Sequence, residues 1–197
     1  MPPAANPAPK IRPIFRALNR SEWRQWLAHH FETETEIFLV FPLKSANEES
    51  ISYNDAVEEA LCFGWIDGIA GKLDNAHATR RFTPRRKGSA FSRPNIERLI
   101  WLEKQGLIHP KILSTVQSII REPFVFPNDI LAELRKDTET WHNYQQFAEP
   151  YRRIRIAYID AARQRPAEFQ KRLANFVSKT KEGKRIMGYG GIEKYYQ

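Results

Sequence analysis

Residues 64–95, GWIDGIAGKLDNAHATRRFTPRRKGSAFSRPN, gather the side chains of this chain best suited to chemistry. Asp67 follows Trp65 closely, and Asp74 stands seven residues beyond Asp67. On a helix that spacing is two turns and puts both carboxylates on one face. A carboxylate pressed against an indole has its pKa raised, which suits general acid or base work. The alternative is a tight turn, in which Asp67 bonds nearby backbone N–H groups ahead of Gly68. Two carboxylates alone are a weak signal for hydrolysis.

Next comes a basic cluster, Arg80, Arg81, Arg85, Arg86 and Lys87. On a strand, Arg81, Thr83 and Arg85 point one way, and Arg80, Phe82 and Pro84 the other. Arginine forks grip carboxylates and phosphates through two parallel hydrogen bonds. With the aspartates so near in sequence, pairing of Arg81 or Arg85 with Asp67 or Asp74 inside the fold is as good a reading as ligand binding. Both can hold, with donors to spare. Ser89, Ser92 and Asn95 then lead into a helix start, where N–H groups and the helix dipole favour an anion; plain capping by Ser92 is the alternative. The candidate ligand-binding set is therefore Trp65, Asp67, Asp74, Arg81, Arg85, Arg86, Ser89, Phe91, Ser92 and Asn95. In it the arginines and the helix start receive the anion, the aspartates orient the arginines, and the two rings stack or pack.

No catalytic constellation accompanies these residues. Cys62, the single cysteine, falls on an apolar helix face without a histidine partner and is expected to pack as a small hydrophobe. The five histidines lack ligand spacing, so no metal is expected. P-loop, dinucleotide and nucleophile-elbow motifs are absent, so no cofactor is expected. The net charge of +8 is unevenly spread. Residues 44–79 hold seven acids against Lys44 and Lys72, whereas residues 80–98 hold seven bases against Glu97 alone. Such segregation attracts an anionic small molecule or an acidic protein surface. Nucleic acid is the second reading, since aromatics interleave with the bases at 80–93 and 151–158. An enzyme using Asp67 or Asp74 is the third.

The elements that must position these groups follow from periodicity. Residues 12–18 read as an edge strand and 36–43 as a buried one closed by Pro42. Between them Ser21 is expected to cap a helix with Trp23, Trp26 and Leu27 on its apolar face. Ser52 and Asp55 form a capping box ahead of a second helix, whose Ala56, Val57, Ala60, Leu61 and Gly64 make a close-packing face. Residues 78–84 read as a third strand. Helices follow at 93–105 and from Pro110, then a set of short helices after the proline-broken 122–128 segment. The expected fold class is α+β, a small N-terminal sheet of about three strands with helices, then a mainly helical part. The expected division is a disordered arm at 1–10, an α+β domain at 11–122, a helical subdomain at 123–184 and a flexible tail at 185–197. The Pro/Ala-rich start does not read as a signal peptide, and no apolar run approaches about 18 residues. No membrane span and a cytoplasmic address are the expectation.

The blocks EALCFGWIDGIAGKLD, RFTPRRKGSAFSRPNIERL and LEKQGLIHP resemble the YdeI/OmpD-associated, or bacteriocin-protection, family. The segment YRRIRIAYIDAARQRPAEFQKRL resembles that family's trailing helices more loosely, with Pro166 and Phe169 breaking the usual pattern. Phe91 stands where the family commonly has Trp, which keeps a planar ring. The resemblance implies a small α+β part followed by helices, and a link to bacteriocin or stress resistance. It brings no reaction, cofactor or catalytic residue.

Overall fold

Four strands and eight helices form among the described residues, 13–188 and 193–196, of a computed structural model. The arm expected at 1–10 lies outside them, as does part of the tail expected at 185–197. The chain divides into two compact units, one ending at Ser89 and one beginning at Ala90.

In the first unit a four-stranded sheet has the order β1-β2-β4-β3, with β1 Ile14–Phe15, β2 Ile37–Pro42, β3 Trp65–Lys72 and β4 His77–Pro84. The two-residue β1 runs parallel to β2 at one edge; the other pairings are antiparallel. Helices α1 (Arg20–His30) and α2 (Tyr53–Cys62) complete it. The fourth strand, β3, occupies the stretch expected as a turn or helix. Gly64 takes a left-handed φ of 73° just past α2, so it ends the helix and does not lie on its packing face. Its carbonyl accepts from the Arg85 N–H at 2.9 Å, which ties the start of β3 to the end of β4. The ladder shifts register between Asp67 and Ala70. At Gly71 a Cβ would come within 2.8 Å of Thr79 Oγ1, so the close approach there depends on glycine.

Capping follows local chemistry. Ser52 Oγ accepts from the Asp55 N–H at 3.1 Å, one half of a capping box, and its hydroxyl donates to Asp55 Oδ2 at 2.8 Å. Asn19, not Ser21, caps α1, its side chain accepting from the Glu22 N–H at 3.0 Å. Every layer contributes buried side chains: Trp23 and Leu27 of α1, Val57 and Leu61 of α2, Leu39 of β2, Trp65 of β3 and Phe82 of β4. Each aliphatic or Phe side chain so buried contributes roughly 1.5–3 kcal/mol. The indoles keep their N–H groups satisfied. Trp23 donates to the Ala56 carbonyl at 3.0 Å and Trp65 to that of Phe31 at 3.1 Å.

Charge is also buried between α1 and α2. Glu58 and Glu59 are 0% and 1% exposed. Arg20 donates to Asp55 (3.0 Å), Glu58 (2.9 Å) and Glu59, and Arg24 donates to Glu59 at 2.6 Å. Burial works against the Arg20 charge, but the bonded glutamates outweigh it and raise its pKa.

The second unit is helical: α3 Arg93–Lys104, α4 Pro110–Arg121, α5 Asn128–Arg135, α6 Thr138–Gln146, α7 Glu149–Asp160 and α8 Pro166–Lys181. Pro166 and Pro150 sit in first turns, where a missing N–H costs nothing. The core joins Ile130, Leu134, Tyr151, Ile159, Leu173 and Phe176. Within this unit buried Glu97 of α3 accepts from Arg153 of α7 at 2.7 and 2.8 Å. The described part of the tail is held down: the Ile186 N–H donates to Tyr151 Oη at 2.8 Å, and Tyr195 is buried. No helix among the described residues is long and apolar enough to cross a membrane.

Candidate anion-binding site

The β3–β4 hairpin carries four of the ten candidate residues, Trp65, Asp67, Asp74 and Arg81, and separates its aspartates. Asp67 lies within β3 and accepts from Tyr53 Oη of α2 at 2.5 Å. Asp74 lies in the connecting turn, where Oδ1 accepts from the Ala76 N–H at 2.7 Å and meets His77 Nδ1 at 2.8 Å. They share no helical face, because the segment is a hairpin. Neither contacts an arginine of the cluster, as the role of orienting them would require.

The arginines find other partners. Arg81 Nε donates to Glu36 at 2.7 Å, beside the Phe38–Arg81 pair of the β2–β4 ladder. Arg80 donates to the Gly68 carbonyl at 3.0 Å and lies over the Tyr53 ring at 5.0 Å. Arg85 Nη2 donates to the Ser89 carbonyl and hydroxyl at 3.2 Å each, and its half-buried position lowers its pKa. Arg86 and Lys87 are exposed on the turn after β4 and form no ion pair among the described residues. Trp65 is fully buried, its ring edge-on to Trp26, so of its two expected roles it packs.

Sequence reasoning missed His77 together with Glu48 and Arg16. The nearly buried ring places Nδ1 on Asp74 and Nε2 near Glu48 at 3.2 Å and Arg16 at 3.3 Å. Asp74 foremost, then Glu48, raises the His77 pKa; the Ala76 N–H foremost, then His77, lowers that of Asp74. The spacing of Asp74 and His77 was visible, but Glu48 and Arg16 come from elsewhere in the chain. The ring is enclosed by charged groups, with no hydroxyl or thiol among its bonded partners. No group of three or more His, Cys, Asp or Glu side chains among the described residues is arranged to hold a metal. Cys62 is buried, and burial foremost pushes its thiol pKa up to about 12.

The remaining candidates belong to the second unit. Ser92 occupies the N-cap of α3 but makes no side-chain cap hydrogen bond, and Pro94 in the first turn removes one N–H from that terminus. Capping by Ser92 therefore takes a backbone form only. Asn95 Oδ1 accepts from Arg98 at 2.9 Å, and Phe91 is half-buried.

A small mixed sheet with two helices, bearing a basic turn, thus defines the first part of the chain. The chain belongs to the family described as Domain of unknown function (DUF8412), whose model matches residues 15–115. Residues 123–183 match a second family model, Bacteriocin-protection, YdeI or OmpD-Associated. The family resembled in sequence is thus found in the C-terminal segment, while the blocks around Trp65 and Arg85 fall within the first match. No curated protein and no solved structure matches the chain.

Proposed function

We propose that this is a non-catalytic protein of the bacteriocin- or stress-resistance type, acting in the cytoplasm, that recognises an anionic small molecule or acidic partner through the basic turn after β4. The supporting observation is the division of labour along the arginines. Arg80 and Arg81 are engaged by the Gly68 carbonyl and the Glu36 carboxylate, while Arg86 and Lys87 stand exposed beside an Arg85 held by Ser89. Cations held so close together raise the local concentration of anions, and their effect falls with salt. Single-stranded nucleic acid is less well served, because stacking needs exposed rings, and in the two basic stretches Phe82 and Tyr151 are fully buried and Phe91 and Tyr158 half-buried.

The test is fluorescence anisotropy with labelled polyphosphate and a labelled poly-glutamate peptide, comparing wild type with the double variant R86E/K87E. Binding that weakens at least about tenfold in the variant, and falls with salt, supports the assignment. Equal binding by the two proteins refutes it.

A further inference from the structure

The second unit contains a cleft that none of the sequence motifs announces. It lies between α7, α8 and the segment 186–188, with a volume of about 440 Å³. That falls within the range of small-molecule sites, about 300–1,000 Å³. Its floor is apolar, formed by buried Ile159 and Phe176 with Ile186. Its wall on α8 is polar, with Glu168, Lys171, Arg172 and Asn175 spaced so as to share one helical face.

Arg172 is the most constrained of these groups. Its Nε donates to Glu168 at 2.7 Å, its Nη1 donates to the Tyr158 carbonyl at 2.7 Å, and its guanidinium lies 3.8 Å from the Tyr158 ring centre. Those contacts fix the plane of the fork and leave Nη2 without a hydrogen bond among the described residues. The side chain is only 15% exposed, so its orientation is paid for by the fold before any ligand arrives. Buried Arg155 adds a second cation, anchored by donating to the Ile186 carbonyl. Lys171 adds a third, exposed at the rim and without an ion pair among the described residues. The cleft thus sets three cations against one carboxylate, Glu168, which Arg172 holds ionised.

We infer that this cleft binds a small organic oxyanion, a carboxylate or phosphate carried on an apolar body. The head group would meet Arg172 Nη2 and Lys171, while the apolar body would cover Ile159, Phe176 and Ile186. A pre-oriented guanidinium fork matches a planar or tetrahedral oxyanion, and the apolar floor rewards a ligand that removes it from water. No residue lining this cleft belongs to the basic turn after β4.

The experiment is calorimetric titration of the full chain with 2-naphthoate and 2-naphthyl phosphate, with 2-naphthol and inorganic phosphate as controls. The inference expects one or both naphthyl anions to bind, with naphthol and inorganic phosphate each at least about tenfold weaker. The tighter anion identifies the head group. Lys171→Glu should weaken the anions about tenfold, and Asn175→Trp should block them by filling the cleft. Both positions are exposed on α8, so the substitutions leave the helix packing intact. The R86E/K87E variant should bind the naphthyl anions as wild type does. The inference is overturned if neither anion binds, if naphthol binds as tightly, or if both α8 variants bind unchanged. Loss of binding in R86E/K87E alone would move the ligand to the other site.

Discussion

Arg20 offers the sharpest test of how the first unit is held together. One guanidinium reaches Asp55, Glu58 and Glu59, and the two glutamate side chains are 0% and 2% exposed. Replacing Arg20 by Met keeps the aliphatic stem and removes a cation bonded to Glu58 and to Glu59. Breaking a buried pair by deleting one partner costs about 3–5 kcal/mol. Arg20 retains 30% side-chain exposure and Arg24 stays on Glu59, so the low end applies, about 3 kcal/mol. If the whole chain melts as one, at about 2–4 °C per kcal/mol, Tm falls by about 6–12 °C. If the first unit melts separately, the drop in its own transition is roughly twice that. Scanning calorimetry distinguishes the cases, and urea midpoints check the free energy. Adding Glu58→Gln and Glu59→Gln to Arg20→Met should recover at least half the loss, because the desolvated charges are gone. A single variant within about 0.5 kcal/mol of wild type would sink the idea that these carboxylates depend on Arg20.

Three further expectations follow from the same unit. Ser52→Ala removes the side-chain cap of α2 and should cost about 1 kcal/mol in urea denaturation; no change would mean the Asp55 N–H is satisfied otherwise. Cys62, with its thiol pKa at about 12, should resist a disulfide reagent at pH 8 in the native protein and react fully in denaturant; rapid native labelling would contradict its burial. His77 gains its proton more readily when folded, so its stabilising contribution is complete below about pH 6.5 and is lost as pH rises through the raised folded value. His77→Gln should therefore flatten the decline of Tm above about pH 6.5, and an unchanged slope would assign that decline to other groups.

Periodicity was enough for α1, β2, α2, β4 and the long helices, where apolar residues recur at helical spacing or concentrate in short β-branched runs. It was not enough for β3. Only Trp65 of that strand is buried, and its outer half is exposed along the sheet edge, so the strand lacks the alternation that marks burial. Its aspartate and glycines carry the chemistry of a turn, and pairing with β4 overrides it. The candidate site shows the same limit. Proximity in sequence suggested that Asp67 and Asp74 would hold the arginines. Arg81 instead takes Glu36, which the β2–β4 register brings alongside it, and Asp67 takes a tyrosine from α2. The cleft on α8 was legible only as an apolar stripe, because its polar groups acquire meaning once α7 and the segment after α8 close around them.

The indole arrangement in the first unit has an optical consequence. Trp23 and Trp26 lie with ring centres 5.2 Å apart and planes only 13° from parallel, and Trp65 stands edge-on to Trp26 at 5.8 Å. Rings held this close couple their electronic transitions and pass excitation among themselves. Near-ultraviolet circular dichroism should carry an exciton signature from this trio, and the part that arises from the Trp26–Trp65 pair should vanish when α1 leaves the sheet even if the helix itself persists. The protein thus contains its own spectroscopic gauge of tertiary docking, independent of the backbone signal and needing no attached dye.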